Sequence, residues 1–152
     1  MEKPQLTEQH RQLERLAGKW IGEENVHAPP YPREGTARAT FNARMDLDGL
    51  FLIADYVEEI DGKPFLRGHG VYGWDPKKEQ FSLSWFDNKS AQPPAQLHGK
   101  WIGDTLTLEG DTGAHKSRLV YEVSANGLAV KAQGSPDGKD WQTIVDGKFR
   151  RG

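Results

Sequence analysis

Cysteine is absent from this chain of 152 residues. Its absence excludes a disulfide framework, a thiolate zinc site, an iron–sulfur cluster and a cysteine nucleophile. Long apolar runs are also missing. The longest, Leu50-Phe51-Leu52-Ile53-Ala54, falls far short of the about 18 residues that mark a membrane-spanning helix. The opening Met1-Glu2-Lys3-Pro4-Gln5-Leu6 lacks the apolar region of a secretory signal. There is no excess of positive charge either: 20 Lys and Arg face 22 Asp and Glu, for a net charge of −2. A dedicated nucleic-acid binder is usually basic, so neither nucleic acid nor membrane is an expected partner. No Gly-x-Ser-x-Gly elbow or P-loop occurs, and no dinucleotide fingerprint is followed by a helix. The expectation is a soluble, cytoplasmic chain forming a single domain over 1–152. A domain of this length buries roughly 68–70% of its unfolded surface and needs no metal or disulfide to fold.

Turn signals are plentiful. Asp48-Gly49, Asp61-Gly62, Asp75-Pro76, Gly103-Asp104, Asn126-Gly127, Asp137-Gly138 and Asp146-Gly147 punctuate the chain. Asp-Gly and Asn-Gly suit the positive φ angles of two-residue hairpin turns. Between them runs period-2 alternation. In Thr36 to Met45 one face reads Ala37, Ala39, Phe41, Ala43, Met45 and the other is polar, the pattern of a strand with one buried face. Ten strands are expected, at about 18–26, 35–46, 50–60, 64–74, 79–87, 95–102, 104–110, 115–124, 127–134 and 140–150. A short helix is expected only at about 7–17, with Thr7 as its cap and Gly18 just past its end.

Connections this short make neighbouring strands antiparallel. A meander of such strands is best closed as an all-β, antiparallel up-and-down barrel, because closure removes exposed edges. A barrel of that size is wide enough to hold one small ligand.

The segment Leu16-Ala17-Gly18-Lys19-Trp20 opens the first strand with Gly-x-Trp. Further on come Leu47-Asp48-Gly49-Leu50-Phe51-Leu52, Asp61-Gly62-Lys63-Pro64-Phe65 and Gly68-His69-Gly70-Val71-Tyr72-Gly73-Trp74-Asp75. Trp85-Phe86-Asp87, Gly99-Lys100-Trp101 and Leu106-Thr107-Leu108-Glu109-Gly110 complete the series. In order and spacing these pieces resemble the lipocalin-like, or calycin, superfamily, and within it the bacterial family of unknown function DUF1579. The resemblance implies a fold and brings no activity with it. The Gly-x-Trp start is also similar, more distantly, to nitrobindin-like barrels, which hold haem through a histidine on a late strand. The last strand here has none, the final histidine being His115, so neither haem nor another cofactor is expected.

The chain carries five Trp, six Phe and four Tyr. Trp20, Phe41, Phe51, Phe65, Phe81, Trp85, Trp101 and Tyr121 are expected to point inward. They would fill the barrel or wall a cavity for a small apolar or aromatic molecule. In the strand at 64–74, one phase groups Phe65, Arg67, His69 and Val71, and the other groups Leu66, Gly68, Gly70, Tyr72 and Trp74. Either phase suits the interior. The first would bury Arg67 and His69, which then need a partner or an anionic ligand. The second would put Tyr72 and Trp74 against the ligand. In the strand at 50–60, Asp55 shares a face with Phe51, while Leu52 and Tyr56 share the other. A buried Asp55 could pair with Arg67 or join His69 in acid/base chemistry. The candidate ligand-binding residues are therefore Trp20, Tyr56, Arg67, His69, Tyr72, Trp85 and Trp101. No catalytic or metal-ligating set stands out. Glu58-Glu59 reads as a solvated strand end, and His27 and Tyr31 sit in a Pro-rich loop over a barrel mouth. A filled barrel acting as an interaction domain and a homodimer through an outer sheet face are both compatible with the sequence.

Overall fold

The computed structural model describes residues 2–27, 29 and 31–152. Helix α1 (Glu8–Glu14) precedes ten strands: β1 (Gly18–Val26), β2 (Gly35–Asp46), β3 (Phe51–Ile60), β4 (Lys63–Asp75) and β5 (Gln80–Asp87), then β6 (Ala95–Ile102), β7 (Thr105–Thr112), β8 (His115–Ser124), β9 (Gly127–Ser135) and β10 (Gln142–Arg151). Every strand pairs antiparallel with its neighbours in the chain, and β1 closes on β10 to complete a barrel. The strand bounds fall within two residues of those read from alternation and turns. At Asp61-Gly62 both residues have positive φ, 53° and 76°, the backbone of a tight hairpin turn whose twist matches the strands. Among the described residues, no helix is long and apolar enough to cross a membrane.

Inward side chains follow the period of two. On β1 they are Trp20, Gly22, Glu24 and Val26; on β2, Ala37, Ala39, Phe41 and Ala43. On β3 they are Leu52, Ala54, Tyr56 and Glu58, and on β4 Leu66, Gly68, Gly70, Tyr72 and Trp74. Both ambiguous registers are thereby settled.

One end of the barrel is closed by α1, which packs on β3 and β4. Thr7 starts the helix: its backbone N–H donates to His10 Nδ1 at 2.9 Å, so His10 takes the place a glutamate holds in a capping box. The regular helix is shorter than expected, since the backbone turns out of it after Glu14. Leu13 and Leu16 are fully buried against the core, and Trp20 donates its indole N–H to the Leu16 carbonyl at 3.0 Å. The Arg151 guanidinium covers the Trp20 ring at 4.2 Å. Burying so large a ring is worth several kcal/mol, and truncating it to alanine costs about 3–5 kcal/mol.

Candidate functional site

Beyond the plug, packing stops. A cavity of about 840 Å³ occupies the half of the barrel away from α1 and opens to solvent there. The β5–β6 loop, the β7–β8 turn and Tyr31 ring its mouth. Its walls are apolar and aromatic: Phe41, Tyr56, Tyr72, Trp85, Leu97, Leu119, Tyr121 and Phe149 line it. Deep inside, the hydroxyls of Tyr72 and Tyr121 pair at 2.6 Å. Tyr56 meets Trp85 edge to face, with ring centroids 5.8 Å apart. Trp85 is anchored by its indole N–H, which donates to Asp87 Oδ2 at 3.0 Å.

The polar feature of the site is a buried cluster of acids and phenols. Glu24 and Glu58 come from β1 and β3, with β2 between them. Facing them on β2 are Ala37, opposite Glu24, and Ala39, opposite Glu58. These small side chains leave room for the two carboxyl groups to converge on Tyr56. The Tyr56 hydroxyl is hydrogen-bonded to Glu24 Oε1 and lies 3.0 Å from Glu58 Oε2. The Tyr31 hydroxyl donates to the same Glu58 oxygen at 3.0 Å. Glu24 is 4% exposed and Glu58 0%. The other oxygen of Glu58, Oε1, is buried without a partner.

Electrostatics follow from that burial. Loss of water, then the hydrogen bond and charge of Glu58, hold the Glu24 acid well above the usual carboxylate range. The Tyr31 and Tyr56 phenols are also pushed up, first by burial and then by the neighbouring carboxylates. One phenol proton cannot serve two carboxylates. Both Tyr56 contacts are satisfied when Glu24 is protonated and donates to the Tyr56 oxygen, while Tyr56 donates onward to Glu58. Among the described residues, no Lys, Arg or His pairs with either glutamate.

Of the residues expected from the sequence to contact a ligand, Tyr56, Tyr72 and Trp85 line this cavity. Trp20 does not: it is buried beside the helix plug. Trp101 also lies apart, half-buried, with the Arg15 guanidinium 4.7 Å above its ring. Arg67 and His69 point outward and are exposed, which corrects the register that would bury them. The reason is steric. Gly68 and Gly70 occupy the inward positions: a side chain at Gly68 would collide with the Trp85 ring, and one at Gly70 would crowd Tyr72 and Leu83. Asp55 is likewise on the outer face, with His69 Nδ1 at 2.7 Å and Arg44 at 3.8 Å, so it is not the partner of Arg67. An acid/base role for Asp55 or His69 on a molecule in the cavity is therefore removed.

Two inward expectations among the aromatics also change. Phe51 lies on the outer face, where its ring fills the space beside Gly73, and Phe65 is half-buried near the mouth with Tyr31 at 5.5 Å. Glu58 is not a solvated strand end. It continues the inward series Leu52, Ala54, Tyr56, and phenol donors stabilise it there. His27 stays exposed and pairs with Asp146 at 2.7 Å. Ala28 and Pro30 of the same loop lie outside the described residues. Glu24 and Glu58 were missed as site residues. The signal was present: Glu24 sits in phase with Trp20 and Val26, and Glu58 in phase with Leu52 and Tyr56.

Fold and site together define a small, closed, antiparallel β-barrel with an internal cavity open at one end and a buried acid–phenol cluster in its wall. The chain belongs to the protein family of unknown function DUF1579, which it matches over residues 5–151. It is similar in structure to Rv2717c from M. tuberculosis, with a TM-score of 0.73 over 97% of this chain and 99% of that one, at 16% sequence identity. Identity at that level shows a shared fold. Among curated proteins, no sequence matches.

Proposed function

We propose that the chain binds a small, largely apolar or aromatic molecule inside its barrel. The carrying observation is the cavity of about 840 Å³, walled by Phe41, Tyr56, Tyr72, Trp85 and Phe149. Protein interiors are close-packed, so aromatic walls facing an unfilled, accessible space favour a ligand over a purely structural core. The volume lies within the usual range for small-molecule sites. Burying about 200 Å² of apolar ligand surface contributes about 5 kcal/mol before association costs. Micromolar affinity corresponds to about 8 kcal/mol, so aromatic and polar contacts in the cavity must add to this apolar term.

The test uses N-phenyl-1-naphthylamine, whose fluorescence rises in apolar surroundings. Saturable, one-to-one enhancement is expected. It should be lost in Ala132→Trp, which places an indole among the lining residues, while the variant keeps its circular-dichroism spectrum. Enhancement that is weak, non-saturable or unaffected by that substitution would place the probe elsewhere and sink the reading. Native mass spectrometry of protein purified from its own host, compared with a denatured sample, should then show the retained natural ligand as an extra mass.

A further inference from the structure

We propose that the ligand is an organic cation, a protonated amine on an aromatic or apolar frame, whose charged head sits at Glu24 and whose frame lies against Trp85 and Phe41. This rests on the cavity-binding reading above and gives it a chemical class.

The first ground is an imbalance in the wall. Two carboxyl groups are buried together, and no cation among the described residues pairs with either. A buried charge requires a partner, and one left unpaired costs several kcal/mol. Tyr31 and Tyr56 supply only part of what is needed, because Oε1 of Glu58, fully buried on the inward face of β3, accepts no hydrogen bond. Of the two acids, Glu24 lines the cavity, and an ammonium head there brings up to three donors and a positive charge beside the pair. The second ground is the surrounding rings. Tyr31, Tyr56, Trp85 and Phe41 border the same space as Glu24, and aromatic faces attract cations most strongly where water is excluded.

The alternatives fit less well. An anionic ligand would meet the Glu24 carboxyl with Glu58 behind it and, among the described residues, no free cation inside. Lys89 and Arg118, at the rim, are already engaged: Lys89 lies 3.7 Å over the Phe65 ring, and Arg118 bonds Gln133 at 2.8 Å and stacks on Trp141 at 4.0 Å. A neutral ligand would bring no charge to offset the two carboxyl groups.

Entry of a cation changes the proton count. Glu24 holds its proton because its neighbours are acidic or phenolic: Tyr56 and Glu58 from β3, Tyr31 from the loop, and Asp146 from β10, itself paired with Asn25 and His27. Asp87 on β5 adds to the field on Tyr31. A positive head offsets that field, so Glu24 releases one proton to solvent as the ammonium binds, and affinity rises with pH until the amine itself deprotonates.

The test compares three probes of one skeleton by isothermal titration calorimetry: 2-naphthylmethylamine, 2-naphthalenemethanol and 2-naphthoic acid. The amine should bind at least tenfold tighter than the alcohol, and the acid weakest. In buffers of different ionisation enthalpy at pH 7, amine binding should release up to one proton, and alcohol binding none. Glu24→Gln should remove the amine preference and the proton release while keeping its circular-dichroism spectrum, and His69→Ala on the outer face should leave all three affinities unchanged; Tyr56→Phe, which deletes the shared hydroxyl, should weaken the preference. Equal or tighter binding of the alcohol or the acid by the wild-type protein overturns the cation assignment and leaves cavity binding standing. If none of the three binds, both readings fall.

Discussion

The indole of Trp85 lies where a side chain on Gly68 would otherwise be. Trp85 is paired with Gly70 across β4–β5 and its ring reaches diagonally over Gly68, where an added Cβ would collide with it. The wall of the cavity is therefore shaped as much by a missing methyl as by the aromatic group itself. Gly68→Ala should displace the indole, lower stability by about 1–3 kcal/mol in urea unfolding, and weaken binding of an aromatic probe. An unchanged probe affinity would show that Trp85 does not shape the site.

Glu24 makes stability depend on pH in a defined direction. Its acid is pushed from the ordinary 4.5 up to about 9. Between those values the folded protein keeps a proton that the unfolded chain has released, so this contribution is complete below pH 4.5 and is lost as pH rises toward 9. One fully linked proton corresponds to about 1.4 kcal/mol per pH unit. Urea unfolding at pH 5.5 and 8.5 should show the wild-type protein losing up to about 4 kcal/mol more than Glu24→Gln. Parallel pH profiles for the two proteins would contradict this.

The Tyr72–Tyr121 hydroxyl pair at 2.6 Å is fully enclosed. Removing either hydroxyl leaves the other unpaired, at a cost of about 1–3 kcal/mol. Tyr72→Phe with Tyr121→Phe should cost less than the sum of the single changes, with a coupling of about 0.5–3 kcal/mol in a double-mutant cycle. Additive losses would mean that the pair does not act as a unit.

The outer-face residues provide the contrast. Arg67 and His69 are exposed, and His69 pairs with Asp55 where both are largely solvated, 71% and 49% exposed. Arg67→Ala and His69→Ala should each change stability by no more than about 0.5 kcal/mol and leave probe binding at the wild-type value. A large loss of binding from either would place the site on the wrong face of β4.

Much of the architecture was legible because each physical cue was local. Alternation from Thr36 to Met45 and the Asp61-Gly62 turn give strand and hairpin without knowledge of distant residues. The site was less legible because its cues are relational. In β4 both phases carry apolar groups, Phe65 and Val71 against Leu66 and Tyr72, so periodicity alone cannot choose between them. What chooses is the fit of Trp85 over Gly68 and Gly70, a contact between strands. Glu58 misled for a similar reason. A charged residue near a strand end is ordinarily solvated, and only the convergence of Tyr31 from a loop and Tyr56 from the same strand makes its burial tolerable. Tyr56, Tyr72 and Trp85 were readable as candidates because they are large, aromatic and in a plausible inward phase; their shared cavity was not.

Closure of β1 on β10 has a practical consequence. Trp20 is paired with Arg151, and Val26 with Val145, so the start of the first strand and the end of the last sit together at the plugged end, a full strand length from the mouth. A fusion partner, dye or surface tether joined beyond Arg151 hangs from the back of the molecule and leaves the entrance unobstructed. On the binding function proposed above, immobilised protein should bind a probe as tightly as protein in solution, which suits the chain to capture experiments on complex extracts.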